Sequence, residues 1–134
     1  MDNCIFCKII KGEIPSYKIY EDEKVYAFLD ISDDMTGHTL VIPKKHSRNI
    51  FDTDKEYLEA VICAVQKIAK HYKELGYDGV NILNANEPCA EQSVFHLHFH
   101  ILPRKNNDGK HVYPVLEKQN NNLEEVAKAL KLDK

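Results

Sequence analysis

The run from His96 to Leu102 alternates histidine with apolar residues, and this pattern constrains the fold more than any other part of the chain. Successive side chains of a β-strand point to opposite faces, so His96, His98 and His100 would share one face. The apolar residues on the other face would be Leu97, Phe99 and Ile101. The pattern therefore predicts a strand over residues 94–102 that buries its apolar face and exposes three imidazoles.

Three imidazoles on one strand face indicate a catalytic or metal-binding role rather than three ordinary surface histidines. Charged rings at this spacing repel, so at least two should be neutral near pH 7. A neutral imidazole offers one nitrogen as a nucleophile, and neighbouring rings can donate to phosphoryl oxygens. The same three histidines are also compatible with a zinc site of the carbonic anhydrase type. The spacing alone does not distinguish a nucleophilic role from a zinc site, and His38 and His46 could join either arrangement.

The remaining patterns predict one long helix among several strands. Apolar residues at spacings of three and four indicate a helix from about Asp54 to Leu75. Thr53 and Glu56 form a capping-box pattern at its start, and Gly76 is placed to end it. The predicted strands are Tyr17–Tyr20, Val25–Leu29, Thr39–Pro43 and Val80–Leu83, and short helices are predicted at residues 4–10 and Leu123–Leu130. Strands bunched around one long helix indicate an α+β fold with an antiparallel sheet.

Length and charge exclude several classes of function. The 134 residues fit one domain, residues 1–134. A formal net charge of −3 argues against non-specific binding to nucleic acid or to an anionic membrane. No apolar run is long enough to span a bilayer, and the first residues lack the apolar core of a signal peptide. We therefore expect a cytoplasmic protein with reduced or metal-bound cysteines.

Cys4 and Cys7 form a Cys-x-x-Cys pair whose sulfurs would lie on one side of a helical turn. Two thiolates need two further ligands to complete a tetrahedral zinc site. A redox-active pair and two reduced core cysteines are the alternatives, although the usual strand–helix–strand setting of a redox motif is missing. Cys63 and Cys89 have no obvious partners and are expected to be free thiols.

Several segments together resemble the histidine triad (HIT) family of nucleotide-binding proteins. The segments that carry the resemblance are the 96–102 run, residues 4–10, 12–15, 27–30, 37–46 and 92–95. They follow the family's order over roughly residues 4–105, and the resemblance is strongest to small bacterial-type members of the branch that hydrolyses nucleoside phosphoramidates. It implies a HIT-like antiparallel sheet of about five strands, one long helix, short terminal helices and a homodimer.

The resemblance also implies catalytic and nucleotide-binding roles. His98 would be the nucleophile that forms a nucleotidyl-histidine intermediate, with no metal needed for the chemistry. His100 and His38 would bind phosphate oxygens, and Ser93 would assist proton delivery to the leaving amine. The remaining positions implied to contact a purine nucleotide are Gln92 and Ser93 at the phosphate or leaving group, Asp30 at the ribose, Asn84 or Asn86 in the loop, and Ile5, Phe6, Ile9, Ile14, Phe28, Leu29 and Ile31 around the base.

A structural zinc site is a further implication of the resemblance. Its four ligands would be Cys4, Cys7, His46 and His96. Such a site has no open coordination position, so it would tie the N-terminal segment to the sheet and leave His98 free.

Three positions depart from the family's pattern in the loop before the triad. Family members commonly carry Asn-Asn-Gly and Ala-Gly-Gln, where this chain has Ala85-Asn86-Glu87 and Ala90-Glu91-Gln92. Glycine lets backbone N–H groups approach a phosphate closely. Glu91 instead adds a Cβ atom and a carboxylate near a substrate anion, which motivates the alternative of a nucleotide-binding regulatory module with little turnover.

Overall fold

The computed structural model describes residues 3–132 and contains one five-stranded antiparallel sheet. Its strands are β1 (Lys18–Glu21), β2 (Val25–Leu29), β3 (Thr39–Pro43), β4 (Gly79–Leu83) and β5 (Phe99–Arg104), in the order β1-β2-β3-β5-β4. The helices are α1 (Ile5–Ile10), α2 (Lys55–Glu74) and α3 (Leu123–Leu130). The predicted α+β class, the long helix and the short terminal helices are therefore confirmed.

Helix α2 covers one face of the sheet. The side chains buried between them are Val25, Ala27, Val41 and Ile101 from the sheet and Val61, Val65, Ile68 and Tyr72 from α2. Burying an aliphatic side chain of this size contributes about 1.5–3 kcal/mol, so this layer stabilises the fold substantially. None of the helices in residues 3–132 has the length and apolar character needed to cross a membrane.

Helix α1 covers the opposite face, which carries the histidines predicted to be functional. Phe6 and Ile9 of α1 pack against the alternate side chains of β2 and β3. Those strand residues are Tyr26, Phe28, Leu40 and Ile42. His100 pairs with Leu40 across β3 and β5, and directly opposed residues share a face, so His100 lies on the α1 side.

The capping box predicted for α2 is wrong. The helix begins after Asp54, which makes no side-chain capping bond. Thr53 lies one residue further out, and its hydroxyl donates to the Asn49 carbonyl at 2.6 Å, so it closes the preceding turn instead. The stop at Gly76 is confirmed, because this residue has a φ of +107° that favours glycine.

The strand predicted over residues 94–102 begins only at Phe99. The backbone before it leaves the sheet, since the Leu97 N–H donates to the Ser47 carbonyl at 2.9 Å. The prediction of an exposed histidine face is also wrong. His96 is fully buried and His98 is 5% exposed, because α1 covers this side of the sheet.

Candidate functional site

His98 sits immediately before β5 with one ring nitrogen fixed by the backbone. Its Nδ1 lies 2.8 Å from the His96 carbonyl oxygen, which only accepts, so Nδ1 carries the proton. Nε2 then holds the lone pair, and it bonds to no side chain or backbone group in residues 3–132. Every fully buried polar side-chain atom in that part of the chain has a hydrogen-bond partner. Because Nε2 has none, it is not fully buried and is open to solvent.

The surroundings of His98 keep its ring neutral. Burial is the main cause that lowers its pKa from the usual 6.5, and positive charge on His38 acts in the same direction. The ring packs edge-to-face on Phe6 with centroids 5.2 Å apart, and the Asn84 amide donates to the His98 carbonyl at 2.9 Å. A neutral ring with a fixed tautomer and an open lone pair has the properties of a nucleophile.

His38 and His100 form a second pair beside His98. Nε2 of His38 lies 2.8 Å from Nδ1 of His100, and the His98 and His100 rings are 5.0 Å apart. Burial, assisted by the neighbouring rings, lowers the pKa of His100 to about 4. An Asp30 carboxylate oxygen lies 3.7 Å from Nε2 of His38. The predicted phosphate and ribose residues are thus gathered at one place.

Four side chains converge at the N-terminal end of the site. The donor atoms of Cys4, Cys7, His46 and His96 all lie within 4.8 Å of one another. Nδ1 of His96 is 3.4 Å from the Cys4 sulfur, 3.6 Å from the Cys7 sulfur and 3.2 Å from Nδ1 of His46. Zinc bonds of about 2.0–2.3 Å give tetrahedron edges of about 3.3–3.8 Å, so the donor set fits a zinc ion.

The ring of His96 is oriented towards this cluster. Its Nε2 donates to the Pro43 carbonyl at 2.8 Å, which leaves the Nδ1 lone pair facing the two cysteines. Burial is the largest cause that raises the pKa of Cys7 to about 11, so its thiol is protonated in the metal-free protein. Among residues 3–132, no metal-type cluster contains all three triad histidines, which removes support for the carbonic anhydrase reading.

Comparison with known proteins gives the family. Residues 11–107 match the model of the HIT domain. The chain belongs to the HIT family. It is 49% identical over 128 residues to an uncharacterized HIT-like protein of Methanocaldococcus jannaschii, covering 96% of this chain and 98% of that one. An adenosine 5′-monophosphoramidase of Candida albicans is 43% identical over 108 residues, covering 77% and 71%.

Solved structures of HIT proteins have the same fold. A zinc-bound histidine triad family protein from Mycobacterium smegmatis superimposes with a TM-score of 0.77 at 42% identity. The match covers 81% of this chain and 79% of that one. This similarity confirms the HIT-like sheet expected from the sequence.

Two of the three departures from the HIT pattern fall on unusual backbone. Glu87 has φ 82° and ψ 155°, a region used almost only by glycine, and Glu91 is left-handed with φ 71°. The Glu87 carboxylate bonds to both Nε and Nη2 of Arg48 at 2.9 and 3.0 Å, and it accepts from Asn49 at 2.6 Å. These contacts hold a strained loop in place. The contacts of Arg48 and Asn49 were not predicted, because nothing in the local sequence distinguishes these two residues.

Gln92 is fully engaged inside this loop. Its amide nitrogen donates to the Arg48 and Val94 carbonyls, and its oxygen accepts from Asn49 and from the Glu87 N–H. The side chain is buried, so it shapes the loop that leads into the triad. Its contact with phosphate stays a prediction.

The other residues predicted to contact the nucleotide are buried to different extents. Ser93 is exposed, and Asn86 accepts from the Ile50 N–H and donates to Asn84. In the predicted base pocket, Phe6, Ile9 and Phe28 are buried, Ile14 and Leu29 are half-buried, and Ile5 and Ile31 are exposed. The buried members belong to the core on the α1 side, and their contact with a base stays a prediction.

Proposed function

We propose that this HIT protein is a cytoplasmic hydrolase of purine nucleoside phosphoramidates or related nucleotidyl conjugates. The observation that carries the proposal is the state of His98: Nδ1 is held by the His96 carbonyl, and Nε2 is open and unprotonated. The 43% identical Candida albicans relative, an adenosine 5′-monophosphoramidase, supports the substrate class.

The reaction would proceed in two displacements at the α-phosphorus. Nε2 of His98 forms a bond to phosphorus while the phosphorus–nitrogen bond to the amine breaks, and the amine leaves with a proton that the exposed Ser93 passes on from solvent. Water then attacks the nucleotidyl-histidine, so the histidine–phosphorus bond breaks and the nucleoside monophosphate is released. Splitting the reaction in this way replaces one difficult step with two easier ones.

The neighbouring residues would bind the nucleotide. His100 donates to the phosphoryl oxygens, where charge is rearranged during transfer. A contact of His38 with phosphate stays a prediction, because its two ring nitrogens are engaged by Asp34 and His100. Asp30 accepts from the ribose hydroxyls. Phe6 and Phe28, whose rings are 5.5 Å apart, would contact the purine base through apolar surface.

We further propose that Cys4, Cys7, His46 and His96 hold a structural zinc ion. The fit of their donor atoms to a tetrahedron and the zinc-bound Mycobacterium smegmatis relative support this assignment. With four protein ligands the ion has no site for water, so it fastens α1 to the segment before β5 and supplies no group to the reaction.

A homodimer completes the proposal. Ile62 and Cys63 of α2 and Ile82 of β4 line an exposed, mostly apolar depression. Strand β4 is also the last strand of the sheet, so one of its edges is unpaired. Pairing of two copies across this face would cover both features. Light scattering should give twice the 15.5 kDa chain mass, and a monomer mass would rule the dimer out.

One observation favours a second candidate, a nucleotide-binding regulatory module. Glu91 places an exposed carboxylate in the loop where HIT proteins commonly have glycine. Negative charge there opposes an incoming phosphate. This alternative predicts that the wild-type protein binds adenosine monophosphate and hydrolyses adenosine 5′-phosphoramidate very slowly or not at all.

Steady-state hydrolysis of adenosine 5′-phosphoramidate separates the two candidates. The wild type and a His71→Ala control, which removes an exposed histidine on α2, should turn over at similar rates. His98→Ala should lose turnover while retaining affinity for adenosine monophosphate. Undiminished hydrolysis by His98→Ala would refute the proposed nucleophile.

A further inference from the structure

A second cluster of metal-binding side chains lies where β2, β3 and β5 run side by side. The donor atoms of Asp30, His38 and His100 all lie within 4.8 Å of one another. The cluster shares no residue with the proposed structural zinc site. Two imidazoles and one carboxylate form a donor set that divalent first-row metals accept, and three protein ligands leave coordination positions open for water.

Paired strands hold the three ligands in place. The Asp30 N–H donates to the His38 carbonyl at 2.9 Å, which continues the pairing of β2 with β3. His100 lies within β5, opposite Leu40 of β3. The backbone therefore brings the three ligands together without an ion, and a precise metal site needs rigid elements of this kind.

The distances between the donor atoms fit a divalent ion with open coordination positions. Metal bonds of about 2.0–2.2 Å place adjacent ligands of an octahedron about 3 Å apart and opposite ligands about 4.2 Å apart. Nε2 of His38 lies 2.8 Å from Nδ1 of His100 and 3.7 Å from a carboxylate oxygen of Asp30. The two imidazoles therefore match adjacent positions, and the carboxylate is within reach of the same ion.

Hydrogen bonds from outside the cluster orient two of the ligands. Nδ1 of His38 lies 2.7 Å from a carboxylate oxygen of Asp34. An imidazole held by a carboxylate on one nitrogen, with the other nitrogen turned inwards, is the usual arrangement of a metal-binding histidine. The Ser32 N–H donates to one carboxylate oxygen of Asp30 at 2.9 Å, and the other oxygen of Asp30 faces His38. Both inward donor atoms are thus oriented before a ligand binds.

Metal binding requires one proton to leave the space between the two imidazoles. Nε2 of His38 and Nδ1 of His100 share a single proton across 2.8 Å in the free protein. An ion takes both lone pairs, so this proton moves either to Nε2 of His100, which bonds to no protein group in residues 3–132, or to solvent. The coordination that results is the same whether His38 is neutral or charged beforehand.

We propose that Asp30, His38 and His100 bind a divalent transition-metal ion, and that the bound ion blocks nucleotide binding. The ion occupies the Asp30 oxygen that faces the site. Because the Ser32 N–H holds the other oxygen, Asp30 then turns no free oxygen to the ribose hydroxyls. The blocking rests on the proposed function for the identity of the ligand, whereas the metal site is a property of the free protein.

The zinc content of the full chain tests the site, with Zn²⁺ as the probe and Asp33→Asn as the matched control. After dialysis against free Zn²⁺, the wild type and Asp33→Asn should hold two ions per chain, one at each cluster. Asp30→Asn should hold one, because an amide oxygen without charge is a poor ligand for zinc. Asp33 is exposed and lies outside both clusters, so its substitution removes the same charge but no ligand. Circular dichroism checks that each variant is folded.

Two further variants separate the clusters from each other. Cys7→Ser should lose the ion of the cysteine cluster and keep the second one. Asp34→Asn keeps all three ligands but should weaken the second ion by about 10- to 100-fold, because His38 loses its charged partner. Equal zinc content in Asp30→Asn and the wild type would overturn the site. Equal zinc affinity in Asp34→Asn and Asp33→Asn would do the same.

Competition with adenosine tests the blocking. Adenosine carries the ribose hydroxyls but no phosphate that could itself bind zinc. With free Zn²⁺ at ten times its dissociation constant for the second site, the apparent dissociation constant of adenosine should rise about tenfold in the wild type and in Asp33→Asn. Unchanged or tighter adenosine binding would overturn the blocking. A wild type that binds no adenosine even without zinc would sink the nucleotide role itself, and the zinc content would still decide the metal site.

Discussion

Nε2 of His96 donates to the carbonyl oxygen of Pro43 at 2.8 Å, and this one bond separates the first triad histidine from the other two. It turns the Nδ1 lone pair of His96 towards the two cysteines. The His96 carbonyl in turn holds the His98 ring at 2.8 Å. The residue that closes the metal cluster thus also orients the proposed nucleophile.

Removing the proposed zinc should lower stability while leaving the nucleophile chemically competent. Cys7→Ser is expected to lose bound metal and to lower the thermal midpoint by several degrees, because α1 is then held by apolar contacts alone. Metal analysis and thermal unfolding check this, with exposed Cys89→Ser as the control. Equal metal content in Cys7→Ser and the wild type would rule out the assigned ligands.

The value of kcat/KM should fall in acid only below the pH range in which a histidine ordinarily titrates. Burial lowers the pKa of His98 from 6.5, so the ring stays neutral until the pH drops through this lowered value, and protonation there removes the lone pair. The acid limb of kcat/KM for adenosine 5′-phosphoramidate should therefore lie below pH 6.5. A limb at or above 6.5 would disagree with a buried nucleophile.

Glu91→Gly should stabilise the protein. Glu91 has a left-handed φ of 71°, which costs a residue with a Cβ about 1–2 kcal/mol, and glycine avoids that cost at some loss of stability from greater unfolded-chain entropy. We expect a net gain of about 0.5–1 kcal/mol in the free energy of unfolding, measured with urea. Glu91→Ala removes the carboxylate but keeps the Cβ, so it should show no gain. Equal gains in both variants would point to charge as the cause.

Phe6→Leu should weaken both the core and the site. Phe6 is buried and packs edge-to-face on Phe28 and His98 at 5.5 and 5.2 Å. Loss of the ring should cost about 1–2 kcal/mol of unfolding free energy. It should also reduce kcat/KM, because the His98 ring loses a packing contact that orients it. Phe51→Leu changes a 79% exposed ring and should have little effect on either quantity. Matching losses in the two variants would mean that burial of Phe6 is unimportant.

Local sequence patterns predicted most of the elements. The apolar stripe located α2, and runs of strand-forming residues located β2 and β3, because each signal is contained within a few residues. The start of β5 was missed because the Leu97 N–H bonds to Ser47, a contact that no local pattern encodes. The single-domain organisation and the site roles stay predictions.

The candidate site depended more on the family resemblance than on spacing. Alternation alone left the three triad histidines on one exposed face, with a three-histidine metal site as an alternative. The resemblance grouped His96 with the cysteines, and the structure brings these residues together. The Arg48–Glu87 contact joins residues 39 apart, and the Asp34–His38 contact depends on the path of the β2–β3 loop, so neither was predicted.

The most direct test is the mass of the protein quenched within a single turnover of an amine-linked adenylate. We predict a mass increase of one adenylyl group that maps to His98, and the same increase in the His71→Ala control. His98→Ala should show none. A wild-type protein that turns over without any adduct, or that carries the adduct on another residue, would contradict the account.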